Sequence, residues 1–186
     1  MGIGKLLWRI YVMDLPDAAL LALLGTVLFC LIRNKLECRI WWRWRCGCML
    51  ALAVVSILYV TLARRESGDY GIYLIPFYSY REAASGGNRE LYRSNFMNVL
   101  LFYPAGLFTS QLLPDKWPRW IRLLLPVLGF AVISGGIEYV QYRYSLGRCE
   151  IDDVIHNALG GFLGGAAPGF LYWLKRKWEE GVNYDR

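Results

Sequence analysis

Histidine is almost missing from this chain: there is one in 186 residues, and the five cysteines form no C-x-x-C pair. Structural zinc sites draw on Cys and His at close, regular spacing, so the composition argues against a metal module. No Ser or Cys nucleophile stands at a recognisable spacing from a base, and there is no glycine-rich loop of the phosphate-cradling kind. A convincing signal peptide is also lacking. Lys5 and Arg9 supply a positive start, but Asp14, Pro16 and Asp17 interrupt the apolar stretch, and no small-residue cleavage site follows. No internal repeat or low-complexity tract is evident. Acidic residues are outnumbered 15 to 21, giving a formal net charge of +6. Nucleic acid is not an expected partner, because the Lys and Arg sit in gaps between apolar runs, where membrane topology wants them.

What the chain has is apolar residues, 56% of the total, against the 45–50% of a typical soluble domain. They fall in long runs with almost no charge, the pattern of membrane spans. Five runs stand out, at about 15–32, 46–63, 96–113, 121–142 and 154–174. The expected fold is therefore all-α, a polytopic membrane helix bundle of about five transmembrane helices. Asp14 can cap the first run, and Pro104 should kink or break the third. Residues 1–14 suit a short interfacial helix. The hydrophilic stretch 64–94 reads as a structured loop with a re-entrant apolar tip at 72–77. Trp41, Trp42, Trp44, Trp117, Trp120, Trp173 and Trp178 lie at run ends, where amphipathic rings settle at the lipid–water boundary.

Orientation follows from the basic residues. Arg33, Lys35, Arg39, Arg43 and Arg45, the 116–122 turn and Lys175, Arg176 and Lys177 share one side of a five-span bundle. Positive-inside makes that side cytoplasmic. The protein is then multi-pass in a cell membrane, with its C-terminus in the cytoplasm and the 64–94 loop outside. Arg64 and Arg65 beside the second span run against this assignment. Cys30, Cys38, Cys46 and Cys48 fall on or near the cytoplasmic side, where disulfides are rare, so they and Cys149 are expected as free thiols.

Polar side chains inside spans need a reason, since a central charge costs about 2.5–3.5 kcal/mol on insertion scales. Asn98, Glu138, Gln141, Asp153 and Asn157 all lie near the outer ends of their runs. Glu138 and Gln141 are i, i+3, and Asp153 and Asn157 are i, i+4, so each pair shares a helix face. Asp152 and His156 form a second pair, rotated about 100° from the first. Asp152 and Asp153 sit at a helix N-terminus, which favours negative charge, and Arg148 is close enough in sequence to neutralise one of them. Two readings stay open: a buried hydrogen-bond network holding three helices together, or a polar site opening outward. His156 reads as a hydrogen-bonded bystander. Gly160–Gly164 and Gly161–Gly165 are G-x-x-x-G spacings that permit close helix approach, internally or between two copies.

These segments carry a family resemblance. Leu74-Ile75-Pro76-Phe77, the stretch from Asn98 to Gly106, the Ser134–Glu138–Gln141 helix, and Arg148 through Asp152, Asp153 and Asn157 to Gly160 and Gly161 resemble, in order, the motifs of the VanZ-like family. The match covers about residues 70–166. Ala105 and His156 depart from the pattern without disturbing the polar set. The resemblance implies three parts: an N-terminal region of two generic spans (1–63), a VanZ-like domain (64–174) and a basic tail (175–186). It also implies a bacterial envelope protein, since the family's namesake is linked to low-level resistance to teicoplanin, a lipid-bearing glycopeptide. No cofactor is expected. Expected partners are the lipid bilayer and a lipid-linked cell-wall precursor or glycopeptide. Alternatives are a membrane-embedded enzyme, with Glu138, Asp152 and Asp153 holding Mg²⁺ or Glu138 as base, and a small transporter.

Overall fold

A computed structural model describes residues 22, 24–29, 32, 39–63, 71–86 and 89–184. The expected interfacial helix at 1–14 and most of the first expected span lie outside them. The described part of that span, 24–29, is helical.

Apolar residues with good helix formers between them build four long helices. Helix α1 (Arg39–Leu58) ends in a wider π-turn (Tyr59–Ala63), and a short helix α2 (Tyr78–Gly86) precedes α3 (Arg89–Leu112). Helices α4 (Arg119–Arg143) and α5 (Ile151–Tyr184) follow. Two-residue strands β1 (Ile72–Tyr73) and β2 (Cys149–Glu150) pair in parallel, Ile72 with Cys149 and Tyr73 with Glu150. Helix α3 lies between α1 and α5, and α4 packs on α5 while also touching α3 and the π-turn that ends α1. The core joins Ile57 of α1, Phe102 and Ala105 of α3, and Phe130 and Ile137 of α4.

The helices outrun the apolar stretches. Helix α1 takes in Arg43 and Arg45, α3 starts at Arg89, and α5 continues through the basic tail to Tyr184. Arg, Lys and Glu are good helix formers, and the tail adds i,i+4 pairs between Lys175 and Glu179 and between Arg176 and Glu180. An apolar run marks the stretch suited to lipid, not the helix end. Pro104 lies inside α3, which it does not break.

Around Pro104, α3 packs closely on α5. A Cβ at Gly160 would lie 2.1 Å from the Val99 carbonyl oxygen, one at Gly164 1.9 Å from that of Tyr103, and one at Gly106 2.0 Å from that of Gly161. A Cβ at Gly161 would also meet the Phe130 ring at 2.2 Å, whereas one at Gly165 would keep ordinary contact at 3.6 Å. The G-x-x-x-G spacings are thus used within the chain, where backbone meets backbone on both sides of Pro104.

Two of the described helices, Ile40–Ala63 and Arg119–Arg143, are long and apolar enough to cross a membrane. Helices α3 and α5 have the length without that apolarity. Asn95, Asn98, Ser110 and Gln111 dilute α3, and glycines dilute α5. The less apolar helices are those that carry most of the polar set.

Candidate functional site

The molecule is polar within and apolar without. Ser134, Glu138, Gln141, Asp152, Asp153, His156 and Asn157 are buried, while Leu128, Tyr139 and Val132 (76% exposed) cover the outside of α4. Water would reward the opposite arrangement. Broad exposed apolar surface marks contact with lipid or another protein.

Asp152 is the busiest of the polar residues. Its carboxylate accepts from the Phe77 N–H, from the Ser79 N–H at 2.8 Å, and from the Ser79 hydroxyl. It stands at the N-terminus of α2, where the first N–H groups of a helix have no internal acceptor, and it acts as a cap supplied from another helix. Asn95 extends the chain of bonds by donating to the Ser79 hydroxyl at 2.9 Å. One turn beyond Asp152, His156 Nδ1 bonds the Asp152 carbonyl, and Nε2 lies 2.7 Å from the Tyr80 hydroxyl. A carbonyl only accepts, so Nδ1 carries the proton, and in the neutral ring Tyr80 donates to Nε2. His156 is hydrogen-bonded on both nitrogens.

The other members tie neighbouring elements together. Asn98 of α3 donates to Asp153 of α5 at 2.7 Å, and Asn157 of α5 to the Ser134 hydroxyl of α4 at 2.7 Å. Glu138 accepts the backbone N–H of Glu150 at 2.8 Å. Gln141 donates to the Thr61 carbonyl at 2.9 Å, filling one of the bonds left open at the end of a helix. Gln141 Oε1 and Asn157 Oδ1 are buried acceptors that take no hydrogen bond from the chain. Turning the Asn157 amide over would exchange an unmet acceptor for unmet donors.

Arg148 forks onto Glu82 of α2 at 3.0 and 3.2 Å, lies 3.6 Å from Glu150, and stacks 4.8 Å above the Tyr73 ring. Sequence proximity pointed to Asp152 or Asp153 as its partner, yet this planar fork goes to a carboxylate 66 positions away. Negative charge is dense here. The Cys149 thiol pKa is raised, first by burial and then by the Glu138, Asp153 and Glu150 carboxylates. Glu150 is likewise raised, by burial and then by Asp153, with Arg148 opposing.

A test follows from Glu150. Its raised pKa means that the folded chain binds this proton more tightly than the unfolded chain. Its contribution therefore costs stability as pH climbs from the ordinary 4.5 through the folded value. Glu150→Gln should melt higher than the wild type at pH 7 and equally at pH 4. No gain at pH 7 would mean that the Arg148 contact outweighs burial.

Sequence reasoning missed Ser79, Tyr80, Glu82, Asn95 and Thr61 as partners. Asn95 had a signal, lying one helical turn before Asn98, and Ser134 stood in a motif without being singled out. Among the described residues, no group of three or more His, Cys, Asp or Glu is placed to hold a metal. Glu138, Asp152 and Asp153 hold backbone and side-chain donors of the chain itself. Cys48 and Cys149 are free thiols and Cys46 is buried, while Cys30 and Cys38 lie outside the described residues.

Such an arrangement defines a helical protein with an apolar exterior and a buried polar network. The VanZ/LLP1 family profile matches residues 44–174, and the chain belongs to that family. A relative, Protein VanZ of Enterococcus faecium, is 30% identical over 125 residues, covering 62% of this chain and 68% of the relative. No solved structure matches. Family and apolar helices together point to a membrane protein.

Proposed function

We propose that this is a multi-pass protein of a bacterial cell membrane, with about five spans and a cytoplasmic C-terminus. Its buried polar network serves as an outward-facing site for the head group of a lipid or lipid-linked cell-wall precursor, and it contributes in that way to low-level teicoplanin resistance. The observation that carries this reading is the burial of Glu138, Asp152 and Asp153 together with Gln141 and Asn157, within a sheath of exposed apolar side chains. Carboxylates are expensive glue inside a membrane, whereas neutral amides would hold helices at less cost.

Beside the donors of Asn98, Gln141 and Arg148, the carboxylates of the site are acceptors and suit a head group that carries hydroxyl, amide or ammonium donors. Gln141 Oε1 and Asn157 Oδ1 add two acceptors that the chain itself does not use. The resistance role rests on the family and on the VanZ relative.

Glu138→Gln and Asp153→Asn keep an oxygen for the Glu150 N–H and for Asn98 while each removes one charge. In a teicoplanin-susceptible host, both should reach wild-type membrane levels and lose resistance. Loss of the protein itself would leave the carboxylates as scaffold only. Unchanged resistance at normal level would place the function elsewhere in the chain.

A further inference from the structure

The turn at the tip of the 71–86 segment is built against local preference. Ile75–Tyr78 is closed by a bond from the Tyr78 N–H to the Ile75 carbonyl at 3.2 Å, with Pro76 second and Phe77 third at φ 62°. This is the pattern of a type II turn, whose third position favours glycine. A bulky residue there is strained. The strained residue does not serve the core, because Phe77 is exposed, as are Ile72, Leu74 and Ile75.

The exposure is imposed by anchoring. Asp152 takes the Phe77 and Ser79 N–H groups, β1 is paired to β2, and the Cys149 N–H bonds the Gly71 carbonyl at 2.8 Å. From Gly71 to Tyr80 there is no charged side chain. Tyr73 packs against Tyr78, Phe77 against Tyr80, and Arg148 lies over the Tyr73 ring while it forks onto Glu82. Hydrocarbon accepts exposed apolar side chains, and tyrosine rings suit the interface between hydrocarbon and water.

We infer that Ile72, Leu74, Ile75 and Phe77 form a rigid finger that inserts into the surrounding bilayer, its occupants being lipid acyl chains. The inference rests on the membrane reading above. The finger holds the Asp152-centred junction at head-group depth, so a lipid-linked ligand meets the polar network without leaving the membrane. Phe77 at the glycine position trades turn stability for inserted apolar surface.

The test uses purified full chain reconstituted as single copies in phosphatidylcholine–phosphatidylglycerol vesicles. Leu74→Cys, Ile75→Cys, Ala84→Cys and Val132→Cys are reacted with a charged maleimide loaded on both sides, with wild type as background. Ala84, exposed on α2, should label fast. Leu74→Cys and Ile75→Cys should label about tenfold or more slowly, as Val132→Cys does, because hydrocarbon excludes the thiolate and the reagent. After denaturation in SDS all four should react alike. Tip positions as fast as Ala84→Cys, with Val132→Cys protected, would overturn the finger and leave the membrane reading standing; the tip would then lie in water or need a protein partner absent from the vesicle. Fast labelling of Val132→Cys would overturn both.

Discussion

Gly164→Ala should sharply reduce the amount of folded protein and lower its melting temperature in detergent. The new methyl would sit 1.9 Å from the Tyr103 carbonyl oxygen, and backbone on both sides leaves no flexible side chain to yield. Overpacking of this kind costs about 1–3 kcal/mol and sometimes more, a large part of a total stability of about 5–15 kcal/mol. Gly160→Ala and Gly106→Ala should behave alike, at 2.1 and 2.0 Å from backbone oxygens. The contrast lies on the same helix. Gly165→Ala meets only ordinary contact at 3.6 Å and should be tolerated. Gly169→Ala meets nothing within 4 Å and should gain about 0.5–1 kcal/mol from helix propensity. Equal effects at Gly164 and Gly169 would mean that α3 and α5 do not cross here.

The second large effect is at Asp152. Asp152→Ala would strip the acceptor from two backbone N–H groups and one hydroxyl. Each buried donor left unmet costs about 1–3 kcal/mol, so the junction should lose about 3–5 kcal/mol in all. The loss should be local. Amide exchange at Phe77 and Ser79 should speed up by about a hundredfold or more, while the α3–α5 crossing keeps its protection. Asp152→Asn, with one oxygen left, should fall between alanine and wild type. Unchanged exchange in Asp152→Ala would mean that strand pairing and the Arg148 fork hold the segment alone.

Much of the polar set was legible because its background is apolar. Asn98, Glu138, Gln141, Asp153 and Asn157 interrupt hydrophobic runs, and helical spacing placed each pair on one face before any contact was known. The glycine spacings were legible for the same reason, and the structure supplies their partners. The loop was not. Ser79, Tyr80 and Glu82 meet α5 and its approach across 66 to 76 positions, and no periodicity reports a contact at that range. Two-residue strands are too short to show alternation, so β1 and β2 left no trace in the pattern. Helix ends were not legible in the apolar runs, because α1 starts at Arg39 and α5 runs on beyond residue 174 through charged residues that are good helix formers. Pro104 was expected to kink or break α3; the helix runs unbroken through it, beside the close approach to Gly161 and Gly164.

The proposed role of the buried carboxylates is to meet a head group, beyond holding helices. Purified wild-type, Glu138→Gln and Asp153→Asn proteins, each incubated with a lipid-linked cell-wall precursor in mixed micelles, can be compared by native mass spectrometry. The wild type should give a complex that survives release from the micelle, and both variants should lose it, although all three melt at similar temperatures. Equal retention by wild type and variants, or no complex with any of them, would contradict it.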